Sequence, residues 1–138
     1  MIGEFCQIKH DPANGQYGDC LRACVASILE LDSADVPHFA ENGGTMQDAL
    51  YRARLWLSER SLTLFCTLWE DEALSDVLQS MGNLNSDVHY ILYGDQPDGG
   101  SHVVVCRGDK IAHNPAWAGG TLVRPSAGFW LIMVIARA

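Results

Sequence analysis

A chain of 138 residues with 48% hydrophobic and 19% charged residues is long enough to bury roughly 70% of the surface its unfolded form exposes, which suits one folded domain and excludes a disordered polymer. Seventeen acidic residues against nine Lys and Arg leave a formal charge of −8, a surface that repels phosphate backbones and so argues against nucleic acid as a partner. Met1-Ile2-Gly3-Glu4-Phe5-Cys6 has no basic segment leading into an apolar one, and the longest apolar run, Phe129 to Ala136, is far short of the roughly 20 residues of a spanning helix; a cytoplasmic protein with no membrane segment is expected.

In chain order, the turn formers Asp11-Pro12-Ala13-Asn14-Gly15 precede Gly18-Asp19, and Asp19 is a natural N-cap for a first helix over Cys20 to Glu30. Its apolar positions (Cys20, Ala23, Cys24, Ile28 and Leu31, with Leu21, Val25 and Leu29 alongside) cover most of the circumference, as in a helix buried at the centre of a domain. Asp32 to Pro37 breaks it. Thr45 caps a second helix that runs to about Arg60, with Asp48 at the capping-box spacing and Met46, Ala49, Leu50, Ala53, Trp56 and Leu57 recurring at helical period. Leu62 to Leu68 reads as a strand and Glu70 to Met81 as a third amphipathic helix. Four strands follow, over Val88 to Tyr93, Ser101 to Arg107, Lys110 to Asn114 and Gly128 to Ile135. Helices first and consecutive strands after specify a single α+β domain over residues 1–138, with helices packed on a C-terminal antiparallel sheet.

Five cysteines, Cys6, Cys20, Cys24, Cys66 and Cys106, are odd in number and irregular in spacing, so reduced thiols are expected instead of a disulfide framework. Cys20 stands apart because it opens a helix, where unpaired N–H groups and the helix dipole favour a thiolate. A thiolate nucleophile needs a proton donor for the leaving group and a third group that orients that donor. His102 and Asn114 can supply both roles if they share a sheet face. The segment from Ser101 to Asn114 reads as a hairpin around Gly108. With the three-residue loop Arg107-Gly108-Asp109, His102 lies directly opposite Asn114, with Cβ atoms roughly 4.5 to 5.5 Å apart. With the two-residue loop Gly108-Asp109, Asn114 turns to the other face. A catalytic pair therefore predicts the longer loop.

Plainer roles suit the other chemistry-bearing residues. Cys24, one turn after Cys20, reads as packing, and His89, His102, His113 and Cys106 lack the spacing of a zinc site, so no metal and no other cofactor is expected. His38 reads as a loop residue or as lining for a substrate cleft. Trp117, three residues after Asn114, is placed to shield a His–Asn contact from water or to pack against a loop.

Asp19-Cys20 with its small apolar helix, and His102-Val-Val-Val leading through a glycine turn to Asn114-Pro115, resemble the papain-like peptidases that remove double-glycine leaders from bacteriocin precursors. Leu21 stands where that family usually has Gly, and Asn114 where it usually has Asp; papain itself uses Asn. Gly18-Asp19-Cys20 and Val36-Pro37-His38-Phe39 are also similar to small papain-like proteins of bacterial and phage genomes. The resemblance implies a papain-like fold and a cysteine hydrolase acting by thiolate acyl transfer on a peptide, isopeptide or amide bond of a peptide or protein substrate. It further implies Cys20, His102 and Asn114 as the catalytic set, and a Gln upstream of the nucleophile in the oxyanion hole. Gln7 and Gln16 are the candidates; Gln16 is only four residues before Cys20, whereas Gln7 has a Pro- and Gly-containing loop between. Deamidation and transglutamination use the same machinery, and a non-catalytic papain-like module that binds a peptide or partner is the alternative of another class.

Overall fold

The computed structural model describes residues 1–70, 72–116 and 120–138 and is a mixed α+β structure. Its contacts divide the chain into two compact units, one made of Met1–Leu64 with Ile135–Ala138 and the other of Phe65–Val134. Among the described residues no helix is long and apolar enough to cross a membrane.

In the first unit the N-terminal segment has no ladder of its own. It is held by the first helix, α1 (Cys20–Leu29), through Ile2 N–H to the Ser27 carbonyl at 3.1 Å and Glu4 N–H to Ser27 Oγ at 2.9 Å. Between segment and helix, Pro12–Asn14 form a short 3₁₀ turn that Gly15 closes in the left-handed region. Ala23, Cys24, Val25 and Ala26 are fully buried, and these small side chains let neighbouring chain approach the helix closely. The helix stops one residue earlier than expected because Glu30 takes a left-handed conformation, φ 58°, and returns its N–H to the last turn. The second helix, α2 (Met46–Ser58), begins with the expected reciprocal capping box: Thr45 Oγ1 accepts from Asp48 N–H and the Asp48 carboxylate accepts from Thr45 N–H. Its buried stripe is narrow, Ala49, Ala53 and Leu57, and Trp56 is half-buried with the Arg60 guanidinium 3.9 Å from its ring centre.

The strands are β1 (Leu62–Glu70), β2 (His89–Asp95), β3 (Ser101–Arg107), β4 (Lys110–His113) and β5 (Phe129–Arg137), in sheet order β1-β5-β2-β3-β4. β2 pairs antiparallel with both β3 and β5, and β3 pairs antiparallel with β4. The third helix, α3 (Leu74–Leu84), starts four residues later than the sequence pattern suggests. The cause is upstream: β1 runs on through Glu70, and the buried indole N–H of Trp130 takes the Glu72 carbonyl as its acceptor at 2.8 Å, fixing that residue outside the helix.

One sheet face carries Tyr90 and Leu92 from β2, Val104 and Cys106 from β3, and Trp130 and Ile132 from β5, packed with Val77 and Met81 of α3. Strand alternation puts Gly94 and His102, paired across β2 and β3, on this same face. The Trp130 ring lies over Gly94, so that a Cβ at that position would overlap it. Gly94→Ala therefore forces a fully buried indole to move. It should lower stability by about 1 to 3 kcal/mol, read as a lower urea midpoint with unchanged slope in tryptophan fluorescence.

Candidate active site

Cys20 occupies the first position of α1 and is half-buried, and its N–H is one of the four at a helix start with no partner inside the helix. Asp19 before it is the N-cap residue, but its carboxylate does not cap the helix as expected. It turns toward the N-terminal segment and accepts from the N–H of Gln7 at 3.0 Å and of Ile8 at 3.0 Å, while Arg22 donates to it from Nη2 at 2.6 Å and from Nε at 3.1 Å. Asp19 is 1% exposed. Burial alone would raise its pKa, but the Arg22 guanidinium and the two backbone donors outweigh it and hold the carboxyl below its usual range.

That carboxylate brings the Cys6–Ile8 segment to the start of α1. The Cys6 and Cys20 sulfurs stand 2.7 Å apart. Contact with Cys20, followed by burial and the nearby Asp19 charge, pushes the Cys6 thiol far above its ordinary value. Either sulfur could be the donor in this contact. Sequence reasoning missed Cys6: an irregular N-terminal stretch carries no periodic signal, and Asp19 reads as an N-cap instead of an anchor for that segment.

The two glutamine candidates are distinguished. Gln16 sits on a small turn where Asp11 and Gln16 bridge, and its side-chain amide donates to the Lys9 carbonyl at 2.6 Å. Gln7 is exposed and its backbone is fixed beside Asp19. His38 donates from Nε2 to the Tyr17 carbonyl at 2.7 Å, leaving Nδ1 buried without a hydrogen-bond partner among the described residues. Trp117 lies outside the described residues.

His102 and Asn114 belong to the second unit and are joined by a hydrogen bond of 2.8 Å from His102 Nε2 to Asn114 Oδ1. The hairpin that joins them differs from expectation. Its loop is the two-residue turn Gly108-Asp109, with Arg107 opposite Lys110 and Cys106 opposite Ile111. Gly108 is required there, with φ 57° and the Ser86 carbonyl where a Cβ would sit. By itself this turn would send Asn114 to the wrong face. The register then shifts, Val105 facing His113, so that Ala112 is an extra residue in a β-bulge and face parity is restored. Asn114 follows the end of β4 and meets His102 diagonally instead of directly opposite.

Three bonds fix the Asn114 amide. Oδ1 accepts from the Ala116 N–H at 3.1 Å as well as from His102, and Nδ2 donates to the Gly120 carbonyl. With oxygen so assigned, His102 Nε2 must carry the hydrogen and Nδ1 is left as the lone-pair nitrogen. His102 is 5% exposed. Burial lowers its pKa, the Asn114 bond opposing this in part, which favours a neutral ring at neutral pH.

Among the described residues no three His, Cys, Asp or Glu side chains converge as a metal site would require. No protein-family model, curated protein or solved structure matches this chain.

Asp19→Ala leaves the Arg22 guanidinium and two amide donors without their acceptor. It should cost about 3 to 5 kcal/mol, the usual penalty for breaking a buried ion pair. Because the folded carboxyl has a lowered pKa, its contribution is complete above the unfolded value near 3.9 and is lost as pH falls through the folded one. Urea midpoints measured from pH 7 to pH 2 should show that part of the acid destabilisation in the parent protein and not in the variant.

Proposed function

We propose that this protein is a papain-like cysteine hydrolase in which Cys20 is the nucleophile, His102 the acid and base, and Asn114 the residue that orients His102. The observation that carries the reading is the His102–Asn114 bond, with the amide of Asn114 locked by Ala116 and Gly120. A histidine that only fills a core needs no partner whose own orientation is fixed on both ends. Proton transfer through one chosen ring nitrogen does need it.

In this reading the Cys20 thiolate attacks the carbonyl carbon of a peptide, isopeptide or amide bond. The oxyanion accepts from the Cys20 backbone N–H and from the Gln7 side chain, Gln16 being engaged with Lys9. His102 Nδ1, which takes the proton of the Cys20 thiol as the sulfur becomes the attacking thiolate, gives that proton to the leaving amine, and a thioester to Cys20 remains. His102 then takes a proton from water, which attacks the thioester and releases the carboxylic acid and the thiol. Asn114 holds Nε2–H throughout, so the ring keeps its orientation in both charge states. Replacing water by an amine acceptor turns the same intermediate toward transglutamination, and a glutamine side chain as substrate turns it toward deamidation.

The test is acyl transfer from a library of fluorogenic peptide amides, with and without hydroxylamine as a competing acceptor that reports the thioester as hydroxamate. Cys20→Ala should abolish both products. His102→Ala should lower kcat about 10²- to 10⁴-fold, the range of a lost general acid–base, and Asn114→Ala should lower kcat with KM little changed. Wild-type turnover in His102→Ala would sink the proposal, as would acyl transfer that survives in Cys20→Ala.

A further inference from the structure

The catalytic reading assigns Cys20 a task and leaves Cys6 without one, yet the two sulfurs are in contact in the reduced protein. The proximity is built from both sides. Before Cys6, Glu4 N–H is bonded to Ser27 Oγ of α1, and the Glu4 carboxylate in turn accepts from Ser33 N–H. After Cys6, the N–H groups of Gln7 and Ile8 are bonded to the buried Asp19 carboxylate. Cys6 thus sits on a short span anchored at each end to the helix that carries Cys20. The cost of closing the intervening loop is met by these bonds in the reduced state, which gives the second thiol a high effective concentration at the first. Exposure is unequal: Cys6 is 8% exposed, whereas Cys20 is half-buried and reached by solvent. One accessible thiol with a sheltered second thiol against it is the arrangement of an attacking and a resolving cysteine.

We infer that Cys6 and Cys20 form a reversible redox pair, in which Cys6 is a resolving cysteine that closes a disulfide onto Cys20 when a low-molecular-weight disulfide such as oxidised glutathione is present. Cys20 as thiolate attacks one sulfur of the glutathione disulfide, forming a Cys20–glutathione mixed disulfide and releasing one glutathione thiolate. Cys6, after yielding its proton to solvent, attacks the Cys20 sulfur. The Cys6–Cys20 bond forms, the Cys20–glutathione bond breaks, and the second glutathione leaves as thiolate. Two protein thiols have lost two protons and two electrons, and one glutathione disulfide has become two thiols. The first step also prepares the second. The charge of Cys20 is among the causes that hold the proton on Cys6, and it ends once Cys20 is in the mixed disulfide.

The pair stands on the geometry of the first unit alone. Its consequence for turnover rests on the hydrolase reading: the closed form has no nucleophile, so it is inactive and protected from over-oxidation until a thiol reopens it.

The deciding experiment treats the full-length protein with oxidised glutathione, alkylates remaining thiols, and maps all five cysteines by peptide mass spectrometry. The expected product is a Cys6–Cys20 linked peptide pair, lighter than the two thiol peptides by two hydrogens and absent after dithiothreitol, with Cys24, Cys66 and Cys106 alkylated. In Cys6→Ser the reaction should stop with glutathione on Cys20. Wild-type protein that also stops at the mixed disulfide, links Cys20 to Cys24, or keeps Cys20 as a thiol overturns the inference. The map reads no turnover, so a failed redox pair leaves the hydrolase reading standing, and an absence of acyl transfer leaves the redox pair standing.

Discussion

The amino-terminal half depends on a carboxylate taken out of water. Burying an unpaired charge costs several kcal/mol, so Asp19 is tolerable only because four donors surround it: the N–H groups of Gln7 and Ile8, and Nε and Nη2 of Arg22. Two of those donors belong to a segment with no helix or strand of its own, and this gives the segment a fixed course across the start of α1. The same cluster thus selects Cys6 as the neighbour of Cys20.

In the other half the corresponding constraint is a matter of space and parity. His102, Gly94 and Trp130 follow one another across β3, β2 and β5 on one sheet face. The missing side chain at Gly94 gives room to the Trp130 ring, and the buried indole in turn ties the chain before α3 through the Glu72 carbonyl. At the hairpin, a tight turn and a bulge act in opposite senses. The turn displaces the register by one residue and Ala112 displaces it again, leaving Asn114 on the face of His102. A bulge beside a site re-aims a side chain at the expense of one ladder bond.

Much of this was legible in the sequence where local chemistry decides the outcome. The Thr45–Asp48 capping box, the helix that Cys20 opens and the strand pair around Gly108 follow from propensity and spacing, and the layout of helices before a sheet follows from periodicity. What escaped is non-local. Counting residues along the hairpin left two loop lengths open, and only the pairing of His102 with Asn114 favoured the three-residue loop, because a regular ladder was assumed; an extra residue on one strand has no signature in Lys110-Ile111-Ala112-His113. Asp19 carries the residue type of an N-cap, and the pull of Arg22 and the N-terminal amides on it is a tertiary effect. Glu70 to Ala73 has helix-forming residues, but the acceptor needed by Trp130 overrides that preference. Cys6 had no pattern at all, since its place is set by the bonds of its neighbours.

The two proposed activities draw on one sulfur, and that limits how they combine. A solvent-reached sulfur that attacks a carbonyl as thiolate is equally open to oxidation. A nucleophile in this position therefore benefits from a neighbour that is inert while reduced. Cys6 meets that requirement because contact with Cys20, burial and the Asp19 charge all disfavour its own thiolate. In the reduced state it remains a thiol in contact with the Cys20 sulfur, and in this scheme it competes for no substrate. In the proposed scheme, the contact with Cys20 and the burial that hold Cys6 as a thiol, more than the Asp19 charge, make it a spectator in acyl transfer and the partner in oxidation.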